Sequence, residues 1–294
     1  MLYPVIDIGS NTVKIAVLDD ETLFRHAPVF FKAIPFHVKE KIKDGVLPEE
    51  DAIKLSEIIK NFVEIGARLT KNEPIAFATA SLRGLKNLQE VLKVIEEKSG
   101  ISISVISGET EAYYSFLGAK GCVSAKAGVS VDLGGGSTEL LAFRKNRVLK
   151  AVSLPFGCLT LYQSFFADGK KDLTACREFV RSHLKKSAPR LPGNSILLSG
   201  GSAKSILRYK NFLEEKHNFS IQRGQFEKVL SHFYSDNEKE KKKMEDALKD
   251  RYRLVPPALV VFSEIASHYN KDQILVCRSG VREGCLMHYL KKKV

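Results

Sequence analysis

Two short segments with the same pattern constrain the fold more than any other feature of the sequence. The first, VIDIGSNTVK, covers 5–14, and the second, VDLGGGSTE, covers 131–139. In each segment an apolar run ends in an aspartate, a turn of small residues follows, and a second apolar run begins. This order predicts a strand, a tight turn and another strand at two places in one chain.

The repetition of this pattern predicts two domains of related architecture. The aspartates, Asp7 and Asp132, lie 125 positions apart, and both segments are followed by alternating helices and strands. The length of 294 residues is also right for two domains. We therefore predict an N-terminal domain over 1–117, completed by a C-terminal helix over 283–294, and a C-terminal domain over 118–282. Aligning the two segments by sequence alone requires a gap of one residue beyond the turn.

The periodicity of apolar residues predicts the remaining elements. In the first domain we expect strands over 3–8, 12–18, 29–38, 75–79 and 101–106, with helices over 48–69, 87–100 and 109–117. In the second domain we expect strands over 129–133, 140–143, 195–198 and 274–276, with helices over about 223–253, 256–269 and 281–292. The charged run EKEKKK is expected on a solvated face.

The residue types of both turns suit phosphate binding. Glycine lets the backbone approach a ligand closely, so that successive N–H groups can point at one anion. Hydroxyl and amide side chains can add hydrogen bonds, and a lysine on the second strand can return to the same phosphate. The candidate phosphate-binding residues of the turns are Ser10, Asn11, Thr12, Lys14, Gly134, Gly135, Gly136, Ser137 and Thr138. An ordinary hairpin turn is the alternative for either segment alone.

Carboxylates at strand ends add a candidate metal site and a candidate catalytic group. An aspartate such as Asp7 or Asp132 can hold a divalent cation that bridges phosphate oxygens. The segment SGETEA places Glu109 and Glu111 after another strand, where a carboxylate could orient the water that hydrolyses a phosphoanhydride. The two glutamates cannot share one helix face, and residue chemistry alone does not decide between them. Both could instead be acids that stabilise a helix N-terminus.

Several function classes are disfavoured by other features of the sequence. Neither turn matches GxxxxGK[ST], or GxGxxG before a long helix, which argues against P-loop NTPases and Rossmann cofactors. The net charge of +12 favours nucleic acid, anionic lipid or polyphosphate as partners, although a solvated lysine-rich surface explains it equally well. Because the lysines are not interleaved with aromatic residues as in nucleic-acid-binding modules, we expect no nucleic-acid partner.

The expected cellular location follows from the absence of membrane-spanning and signal-peptide patterns in the sequence. No run reaches the ~18 apolar residues that span a membrane, and the N-terminus has no signal-peptide pattern. The five cysteines are scattered without CxxC spacing, which argues against a disulfide framework and a zinc site. We therefore expect a cytoplasmic protein with no membrane partner.

The ordered motifs of the chain resemble one known family. Strand–turn–strand phosphate loops in duplicated domains are typical of the superfamily of actin, the large heat-shock chaperones and the sugar kinases. Within it, the order of VIDIGSNTVKIAV, ATASLRGL, VISGETEAYYSFLG, SVDLGGGSTEL, LSGGSAKSIL and SGVREGCL is similar to that of the exopolyphosphatase/guanosine pentaphosphate phosphohydrolase (Ppx/GppA) family. The resemblance covers nearly the whole chain. It implies an α/β fold of two duplicated actin-like (ribonuclease H-like) domains, with mixed five-stranded sheets flanked by helices and an active site in the interdomain cleft.

The resemblance also implies roles for individual residues of the site. It places the catalytic carboxylate on Glu111 and a contact to a substrate phosphate on Arg83. It assigns Asp132 and Glu139 to Mg²⁺, or another divalent cation, and to positioning water. Asp7 is a third candidate metal ligand.

Two further segments match the family with small departures. SGGSA corresponds to the third glycine loop of the superfamily and adds three candidate phosphate-binding residues: Gly200, Gly201 and Ser202. The residues Arg282 and Glu283 match the family's last motif and are expected to form a structural pair. Lys14 stands where many members have arginine, which keeps the charge but loses bidentate geometry.

The expected function follows from the resemblance together with the turns. It is divalent-cation-dependent hydrolysis of the terminal phosphoanhydride bond of inorganic polyphosphate or guanosine pentaphosphate. The alternatives are a kinase or ATPase of the superfamily, and a regulatory sensor that binds polyphosphate or a guanosine alarmone such as guanosine tetraphosphate. The sequence leaves the oligomeric state open, and a homodimer is compatible with it.

Overall fold

The structure of the protein is a computed structural model, which describes residues 1–25, 27–168, 172–214, 219–234 and 237–293. The chain divides into two compact units, here called unit 1 (Met1–Gly118 and Val281–Val294) and unit 2 (Ala119–Gly280). Each unit contains a mixed β-sheet with helices packed on it. The predicted α/β fold class is confirmed.

Unit 1 opens with three antiparallel strands and continues with alternating helices and strands. In chain order its elements are β1 (Leu2–Ile8), β2 (Thr12–Asp19), β3 (Phe30–Pro35), α1 (Val38–Lys41), α2 (Glu49–Leu69), β4 (Ile75–Ala78), α3 (Leu88–Ser99), β5 (Ser104–Val105) and α4 (Gly108–Cys122). The sheet has the order β3-β2-β1-β4-β5, in which β4 and β5 run parallel to β1. The division between the units falls within α4, after Gly118.

Unit 2 repeats this plan with additional helices. Its elements are β6 (Ala127–Leu133), β7 (Thr138–Arg144), β8 (Arg147–Leu154), α5 (Cys158–Phe165), α6 (Leu173–Ser187), β9 (Ser195–Ser199), α7 (Gly200–Glu214), β10 (Ser220–Gln222), α8 (Arg223–Phe233), α9 (Glu238–Leu248), a 3₁₀ turn (Lys249–Leu254), α10 (Val255–His268) and β11 (Gln273–Val276). The last element of the chain, α11 (Val281–Lys293), belongs to unit 1. Among the described residues, no helix combines the length and the apolar character that crossing a membrane requires.

Each of the five strands of unit 1 has a counterpart in unit 2. The strands β6, β7, β8, β9 and β11 take the places of β1 to β5, with the same parallel and antiparallel neighbours. Asp7 lies opposite Lys14 across β1 and β2, and Asp132 lies opposite Glu139 across β6 and β7. The offset of 125 residues therefore continues through both turns, and the one-residue gap expected from the sequence is wrong.

Several elements differ from the sequence-based expectation. The second sheet has six strands instead of five, because β10 pairs with β11 as an antiparallel edge strand. With three residues, β10 is too short to show an alternating pattern. The strands and helices β8, α5 and α6 lie where no element is expected, and the helix expected over 223–253 is divided into α8, α9 and the 3₁₀ turn. The strand expected over 29–38 ends at Pro35, and α1 follows it.

Both faces of the unit 1 sheet are covered, because alternate residues of a strand point to opposite sides. On one face, Ile6 and Ile15 belong to a core that also contains Leu55 and Phe62 of α2. The predicted helix α2 is present in the structure. Its apolar residues recur at helical spacing, and its first turn contains three acidic residues. On the other face, Val5 and neighbouring strand residues pack against α4 and α11. The site residues of β1 and β2 are thus fixed by a core on each side of the sheet.

The packing of α11 on α4 depends on Gly284. A Cβ atom at this position would overlap the backbone carbonyl of Tyr114 and approach the backbone nitrogen of Gly118 at 3.0 Å. The two helices therefore touch through their backbones, and neither can yield by a side-chain rotation. This contact anchors the last helix of the chain on unit 1.

We predict that Gly284→Ala lowers the free energy of unfolding by about 1–3 kcal/mol or more, because the added methyl group overpacks a backbone contact. The measurement is urea unfolding followed by circular dichroism. Gly224→Ala in α8 is the matched control, because a Cβ there meets no atom within 4 Å. The control should leave stability unchanged or raise it slightly. Equal midpoints for the two variants would contradict this account of the helix contact.

Candidate functional site

The opening hairpins of the two units end in turns with the same hydrogen bond, here called turn 1 (9–12) and turn 2 (134–137). In turn 1 the N–H of Gly9 donates to the carbonyl of Thr12 at 3.1 Å. In turn 2 the N–H of Gly134 donates to the carbonyl of Ser137 at 3.0 Å. The two segments that the sequence pairs therefore also correspond in their turn geometry.

The carbonyl groups of turn 1 are held by the chain segment that follows β3. The carbonyl of Asn11 accepts hydrogen bonds from the backbone N–H groups of Phe36 and His37, at 3.1 and 3.0 Å, and the carbonyl of Ser10 accepts one from Lys39 at 3.5 Å. The N–H groups of Ser10 and Asn11 have no backbone acceptor within the described part of the chain. These two donors are therefore available to an anion.

Turn 2 is held in the same way by the start of α5. The carbonyl of Gly134 accepts from the N–H of Cys158 at 2.9 Å, and the carbonyl of Gly135 accepts from Leu159 at 2.9 Å. Across the described ranges, the N–H groups of Gly135 and Gly136 find no backbone acceptor. Both turns thus direct their carbonyls into the protein and keep donors for a ligand.

The hydroxyl groups of the turns fall into two kinds. Thr138 donates its hydroxyl to the carbonyl of Phe156 at 2.7 Å and is fully buried, so this donor already has a structural partner. The hydroxyls of Ser10 and Ser137 make no hydrogen bond to another described residue. Of the hydroxyls predicted to bind phosphate, those of Ser10 and Ser137 are thus better placed to donate than that of Thr138.

A partly buried ion pair distinguishes Glu111 from Glu109, the two glutamates between which residue chemistry does not decide. Glu111 is only 6% exposed, and its Oε2 accepts a hydrogen bond from Nη2 of Arg83 at 2.6 Å. The Nε of Arg83 donates to the carbonyl of Ile106 at 3.1 Å, which fixes the guanidinium. Glu109 lies two residues earlier on α4 and is exposed. The geometry therefore favours Glu111, as the family resemblance does.

Asp7 lies among cations in unit 1. Its Oδ2 is 3.4 Å from Nζ of Lys14 and 4.0 Å from Nη1 of Arg282. The Nε of Arg282 is buried and has no hydrogen-bond partner among the described residues. The sequence suggests only a structural pair with Glu283 for Arg282, whereas the structure places its guanidinium beside Asp7.

Two buried carboxylates face each other in unit 2. Asp132 and Glu139 are 7% and 1% exposed, and they lie directly opposite on neighbouring antiparallel strands. Their side chains therefore lie on the same face of the sheet, where like charges destabilise the fold. The hydroxyl of Ser153 donates to Oε1 of Glu139 at 2.8 Å. A cation at these carboxylates would relieve their repulsion.

The donor set of this pair fits Mg²⁺. Carboxylate oxygens are the hard ligands that Mg²⁺ prefers, and the ion is usually bound by one or two carboxylates together with water and substrate phosphates. Within the described ranges, no group of three or more His, Cys, Asp or Glu side chains could hold a metal ion. The two carboxylates are thus the protein ligands that this arrangement can offer in unit 2.

The third glycine loop lies against Asp132. Gly200 has a positive φ of 90°, and a Cβ atom there would come within 2.7 Å of Oδ1 of Asp132. A Cβ on Gly201 would overlap the guanidinium of Arg251. The hydroxyl of Ser202 is buried and donates to the sulfur of Cys158 at 3.6 Å. The two glycines therefore leave room for a carboxylate on one side and a guanidinium on the other.

Besides Arg282, sequence reasoning missed two further cations of the site. Arg251 lies in the charged stretch after α8, where nothing in the pattern separates it from its many charged neighbours. Lys39 lies just beyond the strand expected over 29–38, and its backbone contact with Ser10 depends on α1, which the sequence does not predict. Tertiary structure alone brings Arg251 to the third glycine loop and Lys39 to turn 1.

Comparison with known proteins identifies the family. The model of the Ppx/GppA phosphatase family matches residues 37–293. The chain belongs to this family. The resemblance read from the motifs is thereby confirmed.

Relatives and solved structures of the Ppx/GppA family match the chain to different extents. An uncharacterised protein of Streptomyces coelicolor is 33% identical over 200 residues, covering 65% of this chain and 59% of that protein. Exopolyphosphatase 1 of Mycobacterium tuberculosis is 26% identical over 218 residues, covering 72% of this chain and 62% of that protein. The chain thus matches about three fifths of the length of these relatives. The crystal structure of the Aquifex aeolicus family member aligns with a TM-score of 0.83 at 24% identity, over 100% of this chain and 98% of that chain, and has the same fold.

We predict that Gly200→Ala destabilises unit 2 through two separable effects, the positive φ and the contact with the Asp132 carboxylate. The matched control is Gly84→Ala, where φ is 84° but a Cβ meets nothing within 4 Å. The control should lose ~1 kcal/mol of unfolding free energy, and Gly200→Ala ~1–3 kcal/mol more. Urea unfolding measures both values.

A second substitution separates the effect of the contact with the Asp132 carboxylate from the effect of the positive φ. Asp132→Ala in the Gly200→Ala background should recover part of the loss, because the two changes are coupled through one contact. If the losses of unfolding free energy from Gly200→Ala and Asp132→Ala were strictly additive in the double variant, the contact with Asp132 would not be the reason why position 200 requires glycine.

Proposed function

We propose that the protein hydrolyses the terminal phosphoanhydride bond of inorganic polyphosphate and releases orthophosphate with the help of a divalent cation. The observation that carries this proposal is the buried Glu111 carboxylate held by Arg83 in a family of phosphatases. Support for polyphosphate as the substrate comes from the relative named Exopolyphosphatase 1. The net charge of +12 also favours a long polyanion.

In the proposed mechanism, Glu111 orients and deprotonates the attacking water. The oxygen of this water forms a bond to the terminal phosphorus, the phosphoanhydride bond breaks, and the shortened chain leaves with the bonding electron pair. Arg83 orients the carboxylate of Glu111 through its Oε2, and in this proposal the carboxylate accepts the proton of the water. The remaining N–H groups of the guanidinium can bind oxygens of the same phosphate, because a guanidinium carries five donors.

The two turns bind phosphate groups in this proposal through their open N–H donors. The donors are the N–H groups of Ser10 and Asn11 in turn 1, and those of Gly135 and Gly136 in turn 2. Because these donors are fixed by the fold before the substrate arrives, they need no reorganisation as charge develops on the phosphate oxygens. In unit 1 the ammonium group of Lys14 adds a positive charge beside turn 1.

The metal ligands in this proposal are Asp132 and Glu139. A divalent cation bound there would neutralise charge on phosphate oxygens. Asp7 stays a predicted ligand, but its carboxylate already faces Lys14 and Arg282, and a metal would compete with these cations. We also propose guanosine pentaphosphate as a second substrate to be tested, since the ordered motifs resemble a family that includes guanosine pentaphosphate phosphohydrolases, and the matching family model is that of the Ppx/GppA phosphatases.

The experiment that tests the proposed function is a phosphate-release assay with long-chain polyphosphate and with guanosine pentaphosphate, each with and without Mg²⁺. Cation-dependent release from polyphosphate is the expected result. Release from guanosine pentaphosphate alone would reassign the substrate. Tight binding of guanosine tetraphosphate without release from either substrate would indicate a regulatory sensor and would overturn the hydrolase proposal.

We predict that Glu111→Gln reduces the rate of phosphate release at least ~100-fold, because the variant cannot accept the proton of the attacking water. Glu109→Gln is the matched control, since this exposed glutamate lies on the same first turn of α4 and should keep the activity. Both variants are assayed after circular dichroism has shown the same secondary structure as the wild type. Full activity in Glu111→Gln, or equal losses in both variants, would refute the assigned role.

A separate prediction concerns the metal ligands. Glu139→Gln should raise the Mg²⁺ concentration that gives half of the maximal rate by ~10-fold or more, because one carboxylate ligand is lost. Glu178→Gln on α6 is the control, since Glu178 is exposed and far along the chain from either turn. The measurement is a Mg²⁺ titration of phosphate release. An unchanged titration curve for Glu139→Gln would rule out this ligand.

A further inference from the structure

Lys39 is positioned at turn 1 by contacts of the backbone. Its N–H donates to the carbonyl of Ser10, and the preceding His37 donates to the carbonyl of Asn11. His37 has a φ of 53°, in the left-handed region that residues other than glycine rarely adopt. Such strained positions persist where the surrounding structure fixes them, and they cluster at functional sites. The short helix α1 is thus held against the turn, and Lys39 with it.

Among the described residues, Lys39 has no counter-ion. Burial lowers the pKa of its ammonium group, and the positive charge of Arg83 lowers it further. In the part of the chain that the structure describes, no carboxylate lies within ion-pair distance of Lys39. By contrast, Lys14 is paired with Asp7, and Arg83 with Glu111.

This arrangement is unfavourable unless an anion is present. Like charges near a partly desolvated surface repel each other, and an ordinary surface lysine would turn its flexible side chain into water. Lys39 is instead half-buried next to a turn that presents two open N–H groups. An anion bound there would contact a cationic side chain and backbone donors at once, which is the combination that phosphate groups favour.

We propose that Lys39 is a substrate-binding residue that binds one phosphate group of the substrate at turn 1, together with Arg83 and the N–H groups of Ser10 and Asn11. The proposal rests on the proposed function for the identity of the substrate. Lys39 has no described contact with Glu111, so its removal leaves the Arg83–Glu111 pair in place. Lys39 therefore acts in substrate binding, and the chemical step does not depend on it.

The test uses two variants of Lys39 and one control in the full chain. Lys39→Gln removes the charge, Lys39→Arg keeps it, and Lys60→Gln removes an exposed charge from α2. In the phosphate-release assay, Lys39→Gln should raise KM for polyphosphate ~10-fold or more and change kcat less than about twofold, because one charge-assisted hydrogen bond is lost from the bound state. Lys39→Arg should restore most of the affinity, and Lys60→Gln should resemble the wild type.

A binding measurement separates this proposal from the proposed hydrolase function. Isothermal titration with inorganic tripolyphosphate, in the absence of divalent cations, needs no turnover. Weaker binding by Lys39→Gln than by Lys60→Gln would support the role of Lys39 even if the protein hydrolysed nothing. Equal binding by these two variants would overturn it, even if the wild type were an active hydrolase.

Thermal unfolding distinguishes a role of Lys39 in ligand binding from a purely structural role. Because Lys39 is desolvated beside Arg83, Lys39→Gln should unfold at the same temperature as the wild type or at a higher one in ligand-free buffer. Tripolyphosphate should then raise the melting temperature of the wild type more than that of the variant. A lower melting temperature for ligand-free Lys39→Gln, with an unchanged shift on adding tripolyphosphate, would show that Lys39 only supports the fold.

Discussion

The antiparallel pairing of the first two strands of each unit positions both turns and the charged residues on either side of them. This pairing places Asp7 opposite Lys14 and Asp132 opposite Glu139, and it closes a turn between the members of each pair. The segments that follow β3 and β8 then bind the carbonyl groups of these turns. Since the carbonyl groups of each turn are bound by the protein, the N–H groups of the turn remain for a ligand. The aspartate of each hairpin lies two residues before the first residue of its turn.

A single difference between the repeats gives the two turns different electrostatics. The residue opposite the aspartate is a lysine in unit 1 and a glutamate in unit 2. Asp7 is therefore neutralised by a cation, and more positive charge lies near turn 1 on Arg282 and Lys39. Asp132 and Glu139 instead form a buried pair of carboxylates that suits a divalent cation. The same local fold thus carries additional positive charge beside turn 1, and in unit 2 it carries a pair of carboxylates that suits a metal ion.

The sequence predicted the parts of this arrangement that depend on local pattern. The opening hairpins, the aspartates and α2 follow from turn chemistry and apolar periodicity, and the fold class and family were recognised from ordered motifs. Residue chemistry did not decide between Glu109 and Glu111, and the family resemblance selected Glu111. The structure adds a contact of Glu111 with Arg83, 28 residues away, which local pattern cannot show. Lys39 and Arg282 were missed as site residues because tertiary contacts alone bring them to Ser10 and Asp7. The roles assigned to site residues stay predictions.

The central claim of this account is that the N–H groups of both turns bind phosphate. A crystal structure of the protein with Mg²⁺ and imidotriphosphate, a hydrolysis-resistant analogue of tripolyphosphate, tests it most directly. The account predicts phosphate oxygens within about 3 Å of the backbone nitrogens of Ser10 and Asn11 in turn 1, and of Gly135 and Gly136 in turn 2. An analogue that is fully occupied but contacts neither turn would contradict the account.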